Sequence, residues 1–137
     1  MSEPVWFWQK MISPHMAALA AELAGRGRDV VYVAEEPMSA NRQAQGWRAP
    51  DPGPARLCFA PTADAVRDLV RSAPGDAVHL CQGLRNNGLA AIAQRTLAAR
   101  GLRQWVVMET VDDIGWRGVL KRLEYRRLGF CRRGSVE

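Results

Sequence analysis

Glycine is missing from the place where a nucleotide-binding α/β chain most needs it. The first apolar run is followed by Gln9-Lys10-Met11-Ile12-Ser13-Pro14, whereas a pyrophosphate can be approached closely only by a backbone that carries glycine. That loop argues against a dinucleotide at the usual place. The chain also has no Gly-x-x-x-x-Gly-Lys-Ser/Thr segment to cradle the phosphates of ATP. Cysteine is scarce: Cys58, Cys81 and Cys131 are odd in number and far apart. They form neither a CxxC pair for zinc nor an even disulfide framework, so a reducing cytosol is the simplest compartment. No apolar run reaches the roughly 18 residues of a membrane span. The first residues carry Glu3 and a short apolar patch before Gln9 and Lys10, unlike the basic start and long apolar core of a signal peptide.

What is present fits one ordinary domain. The chain has 137 residues, of which 47% are hydrophobic and 24% charged, enough to bury a core and close to globular averages. Charge is distributed unevenly. Arg117, Lys121, Arg122, Arg126, Arg127, Arg132 and Arg133 face Glu124 alone, a net of +6 within a chain whose total is +5, which leaves −1 for the remainder. A local contact with an anionic membrane surface, a phosphate or another domain is expected, rather than a nucleic-acid-binding face.

Strand and helix signals alternate along the chain. Val5 to Trp8 reads as a strand buried on both faces. Ser13 and Pro14 open a helix from about His15 to Ala24, with Gly25 and Gly27 to end it. Val30 to Val33 form a second strand ending at Glu35 and Glu36. Ser39 to Trp47 reads as a short helix, and Pro50, Pro52, Gly53 and Pro54 as a rigid linker before the strand Leu57 to Phe59. An amphipathic surface helix follows, with Ala65, Val66, Leu69 and Val70 on one side and Asp64, Arg67, Asp68 and Arg71 on the other. Ala77 to Cys81 is the fourth strand. Asn86 or Asn87 can cap a helix carrying Leu89, Ile92, Ala93 and Leu97, which Gly101 ends. Trp105 to Met108 is the fifth strand, and a last helix starts near Trp116. The pattern predicts a Rossmann-like three-layer sandwich with a mostly parallel sheet of about five strands.

In such sheets ligands bind beyond the carboxyl ends of the strands. Gln9 to His15, Glu35 to Ser39, Cys81 to Gly88 and Glu109 to Asp113 should therefore share one edge. On that edge Lys10, Ser13 and His15 are candidate ligand contacts, because free N–H groups and the helix dipole favour an anionic or hydroxyl-rich ligand there. The alternative is that His15 packs at a helix end and Lys10 points to solvent. Gln82, Arg85 and Asn86 can hydrogen-bond a sugar or phosphate, although capping alone would account for the asparagine. Glu109, with Thr110 beside it, emerges at a strand end where a carboxylate can orient acceptor hydroxyls or act as a base. Asp112 and Asp113 read as caps. No histidine or cysteine stands next to them, and no metal site is expected. His79, inside Val78-His79-Leu80, reads as a core residue rather than a catalyst. In the last helix Lys121, Arg122, Arg126 and Arg127 lie among Leu120, Leu123, Tyr125 and Leu128, a composition suited to an anionic membrane or lipid phosphate.

The segments SPHMAALAAELAGRGRDVVYVAEE, VHLCQG, VVMET and LKRLEYRRL, in that order, are similar to the N-terminal domain of GT-B glycosyltransferases of the retaining, nucleotide-sugar-dependent type. The similarity covers nearly the whole chain. Where that family steps into its second strand through Gly-His-Glu/Asp-Val, this chain reads Gly27-Arg28-Asp29-Val30. The resemblance implies an acceptor-binding half, for a glycan or lipid-linked acceptor, that is inactive alone. The nucleotide sugar would be the donor bound by a second Rossmann-like domain absent from these residues. The cysteine pattern leads to an expectation of cytoplasmic placement, to which the basic last helix adds the option of peripheral contact with the inner face of a membrane. A free-standing module that docks a partner or an anionic membrane through the basic last helix is the competing expectation.

Overall fold

The computed structural model describes residues 2–83, 88–107 and 115–132. Five strands, β1 Val5–Met11, β2 Val30–Glu36, β3 Arg56–Phe59, β4 Val78–Gln82 and β5 Gln104–Val107, alternate with five helices. These are α1 Pro14–Gly25, α2 Ala40–Ala44, α3 Ala63–Ser72, α4 Leu89–Ala99 and α5 Gly115–Arg132. All strand pairs are parallel, in the order β3-β2-β1-β4-β5. With helices on both faces this is a Rossmann-like three-layer α/β sandwich, as the alternation of signals predicts.

The aromatic run of β1 explains its central place. Alternate residues of a strand face opposite ways, so Trp6 and Trp8 enter one core and Val5 and Phe7 the other. All four are at most 5% exposed. On the first face the two indoles stack at 5.8 Å beneath Val66 and Val70 of α3 and Ala93 and Leu97 of α4. On the second, Phe7 stacks on Tyr32 at 5.6 Å, covered by Ala17 and Ala20 of α1. Burying side chains of this size is worth about 2 kcal/mol or more each, and makes β1 the strand the fold depends on most.

The helix signals act locally as expected at α1 and α3. Ser13 Oγ accepts from Met16 N–H at 3.3 Å, with Pro14 at the first helical position. Gly27 takes the left-handed conformation after α1 at φ +84°, whereas Gly25 remains helical. Thr62 Oγ1 caps α3 through Ala65 N–H at 3.2 Å. The solvent side of α3 carries the ion pairs Asp64–Arg67 and Asp68–Arg71 at 3.0 and 3.1 Å, each worth only a few tenths of a kcal/mol.

Three elements depart from the sequence reading. β1 does not stop at Trp8 but continues to Met11, because β2 runs equally far beside it and pairs Met11 with Glu36. The link to α1 shrinks to Ile12 and Ser13. α2 is a single turn, not a helix from Ser39 to Trp47, and it is too short to cover β3. Leu57 and Phe59 are consequently 37% and 47% exposed. Register places Trp105 of β5 on the same face as Phe7, and Trp105 is 67% exposed. On that face α1 covers the middle of the sheet and leaves both flanks open. Finally, the cap of α4 is Gly88, without a side-chain cap bond of its own. Asn86 and Asn87, expected as caps, lie outside the described residues.

Candidate functional site

The strand order reverses between β1 and β4: α1 leads from β1 toward β2 on one face, and α4 leads from β4 toward β5 on the other. A crevice forms at the carboxyl ends of such a strand pair. Here the residues at that edge are Gln9, Lys10 and Met11 of β1, Glu35 and Glu36 of β2, and Gln82 of β4 with Gly83 directly after it.

Side-chain amides hold the edge together. Gln82 Oε1 accepts from the Lys10 backbone N–H at 2.9 Å, so a side chain extends the β1–β4 ladder just past the last backbone pair, Trp8 with Cys81. From α4 the fully buried Gln94 donates Nε2 to the Gly83 carbonyl at 2.5 Å and reaches the Gln82 carbonyl at 3.4 Å. Gln104 Nε2 in turn donates to the Gln94 carbonyl at 3.0 Å. Gln9 is the exception. It is 4% exposed, and its Nε2 has no hydrogen-bond partner. Strand alternation places its side chain on the face of Phe7 and Tyr32. A buried amide N–H₂ without an acceptor costs about 1–3 kcal/mol, a cost that a ligand oxygen would relieve.

Neither helix start on this edge is a vacant anion cradle. At α1, Ser13 N–H donates to Tyr32 Oη at 3.2 Å, Pro14 has no N–H, and Met16 N–H is taken by Ser13 Oγ. Burial raises the Tyr32 hydroxyl above its ordinary pKa, against the smaller opposite effect of Ser13, so it stays protonated. At α4 the protein supplies its own anion. Glu35 Oε2, at the end of β2, accepts from Leu89 N–H at 3.3 Å. A carboxylate already at the positive helix end disfavours a second negative group. Gly88 permits this approach, since a Cβ there would stand 2.5 Å from Glu35 Oε2, and its φ is +53°. Between Glu35, Trp8, Val33, Val66, Leu89 and Ala90 lies a small recess with room for about one ordered water.

The sequence-derived candidates separate into three groups. Lys10, Ser13, His15 and Gln82 do come together at the edge: Lys10 and His15 are exposed, and Ser13 and Gln82 are half-buried. Ser13 and Gln82 are engaged in holding the backbone. Arg85, Asn86, Glu109 and Thr110, with Asp112 and Asp113, lie outside the described residues. On α5, Arg122, Arg126 and Arg127 are exposed, whereas Lys121 is half-buried. His79 is fully buried and accepts from Trp8 Nε1–H through Nδ1 at 3.0 Å, the core role its strand position suggests. Gln9 and Glu35 are the residues that sequence reading underweights. The signal for Gln9 is a lone amide directly after four buried apolar residues of a central strand. For Glu35 it is a carboxylate at the end of a strand that is otherwise apolar.

Compared with known proteins, the chain matches no family model, no curated protein and no solved structure.

Proposed function

We propose that this domain is the acceptor-binding half of a glycosyltransferase, receiving a hydroxyl-rich glycan or lipid-linked acceptor at its carboxyl edge. The observation that carries the reading is the unpartnered, buried Gln9 amide at an edge whose helix starts are already filled by Tyr32, Ser13 and Glu35. A sugar hydroxyl accepts from an amide N–H and donates to a carboxylate or carbonyl, so it suits this edge better than a phosphate does. Lys10 and His15 are exposed beside it and can add contacts to the same ligand. The nucleotide sugar, on this reading, belongs to a second Rossmann-like domain, as the resemblance in sequence implies. The 137-residue chain does not turn over alone.

The test is an NMR titration of the purified chain with oligosaccharides, following the side-chain amide signals of Gln9 and Gln82. Saccharide should shift the Gln9 amide selectively. Gln9→Leu should abolish that binding while leaving stability unchanged or raising it by about 1 kcal/mol, because it removes an unsatisfied buried donor. Sugar transfer from a nucleotide sugar by this chain alone, or tight binding of free nucleotide with no response to saccharide, would overturn the assignment.

A further inference from the structure

α5 is turned inside out with respect to an ordinary surface helix. Four of its apolar side chains are exposed: Trp116 at 70%, Val119 at 46%, Leu120 at 56% and Leu123 at 56%. At 3.6 residues per turn these four fall within an arc of about 100°. The opposite side of the helix carries Gly118, buried, and Lys121, half-buried, and α5 packs against α4. The apolar arc therefore lies on the side of α5 away from its buried glycine. Exposed arginines surround the arc. Arg117 and, on the other side, Arg122 and Arg126 flank it, and Arg127 continues its line one turn beyond Leu123. The Arg117 guanidinium lies 5.5 Å from the Trp116 ring. The single acid among these residues, Glu124, is half-buried.

We infer that this face of α5 is a docking surface for an anionic lipid bilayer. Charge complementarity selects the occupant. A protein covering the arc would bury apolar area but would also have to accommodate the guanidinium groups of Arg126 and Arg127 at its rim, whose desolvation is costly when unpaired. An anionic bilayer meets both needs together: acyl chains receive Trp116, Val119, Leu120 and Leu123, and lipid phosphates pair with the arginines in bidentate fashion. Trp116 at one end of the arc suits the headgroup boundary, where amphipathic rings settle. The helix lies in the plane of the interface, and no helix among the described residues is long and apolar enough to cross a membrane. This inference stands apart from the acceptor assignment, since it uses none of the residues on which that assignment rests.

Vesicle co-flotation of the full chain tests it. The chain should float with vesicles of phosphatidylcholine containing phosphatidylglycerol, and not with phosphatidylcholine alone. Raised salt should weaken the association. Each exchange Arg122→Gln, Arg126→Gln or Arg127→Gln should lower partitioning about fivefold. The double exchange Leu120→Ser with Leu123→Ser should lower it at least about tenfold. Unchanged circular dichroism would confirm that these surface variants are folded. No flotation with anionic vesicles at low salt would overturn the inference. Equal flotation with neutral vesicles would do so too, as would a dimer abolished by the leucine exchanges in a chain that ignores vesicles.

Discussion

A histidine with no exposed surface can remain in a core only as the neutral imidazole, and His79 shows how the surroundings enforce that state. Its Nδ1 accepts the Trp8 indole N–H at 3.0 Å, so the ring proton resides on Nε2. Burial first, and the Arg100 guanidinium second, lower its pKa from 6.5 to about 4. That guanidinium is itself fixed nearby by donation to the Val70 carbonyl. The unfolded chain takes up a proton on this residue below about pH 6.5, whereas the folded chain resists protonation until about pH 4. The contribution of His79 is therefore complete above pH 6.5 and is lost as pH falls through that window, reaching about 3 kcal/mol at its lower end. Urea unfolding at a series of pH values should show this slope. His79→Gln keeps an acceptor for Trp8 but cannot titrate, so its stability should decline less between pH 6.5 and 5. Parallel curves for the two proteins would exclude the assignment. The core role of His79 is legible in its apolar neighbours. Its bond to Trp8 is not, because 71 positions separate the pair.

At the level of elements, α4 takes its cap from another strand. Glu35 Oε2 serves Leu89 N–H across the end of β1, and Gly88 leaves the space for it. Glu35→Ala should cost about 1 kcal/mol, the usual value of a helix cap. Gly88→Ala should cost about 2 kcal/mol, through the strain of a positive φ and through eviction of the carboxylate. The two losses overlap, so the double variant should be less unstable than their sum by about 1 kcal/mol. A thermodynamic cycle from chemical denaturation measures that coupling, and strict additivity would mean that Glu35 does not cap α4. The same contrast separates what a sequence reveals from what it conceals. Ser13-Pro14 and Thr62 cap their own helices within three residues, so α1 and α3 can be read directly. The α4 cap bond comes from a residue 54 positions away, a partner that no local pattern around Leu89 announces. β1 outruns its apolar segment because β2 lies beside it, and α2 falls short because residues 40–49 are all exposed, leaving no buried face to extend it. Gln9 illustrates the same limit at the site: its place on the edge follows from strand order, but the missing partner for its amide appears only once the sheet is assembled.

Across the whole molecule, protection should fall from the centre of the sheet outward. β1 is covered on both faces, while one face of β3 and β5 is bare at Leu57, Phe59, Trp105 and Val107. Native-state hydrogen exchange should find the slowest amides in β1 and the neighbouring part of β2, and exchange at least about tenfold faster in β5. Amides of β5 as slow as those of β1 would show that its open flank is not a weak point. The position of β1 also bears on how the chain reaches this structure. β1-α1-β2 and β4-α4-β5 are each local units that can begin forming independently. The seam between them joins Val5 to Val78 and Trp8 to Cys81, and must close a long intervening loop before it gains any contact energy. Closure of that seam is expected from its sequence separation to be slow, and it is the event that brings the Trp8 indole onto His79. This buried hydrogen bond thereby becomes a marker for the joining of the two halves, a single contact whose formation reports that the sheet is whole.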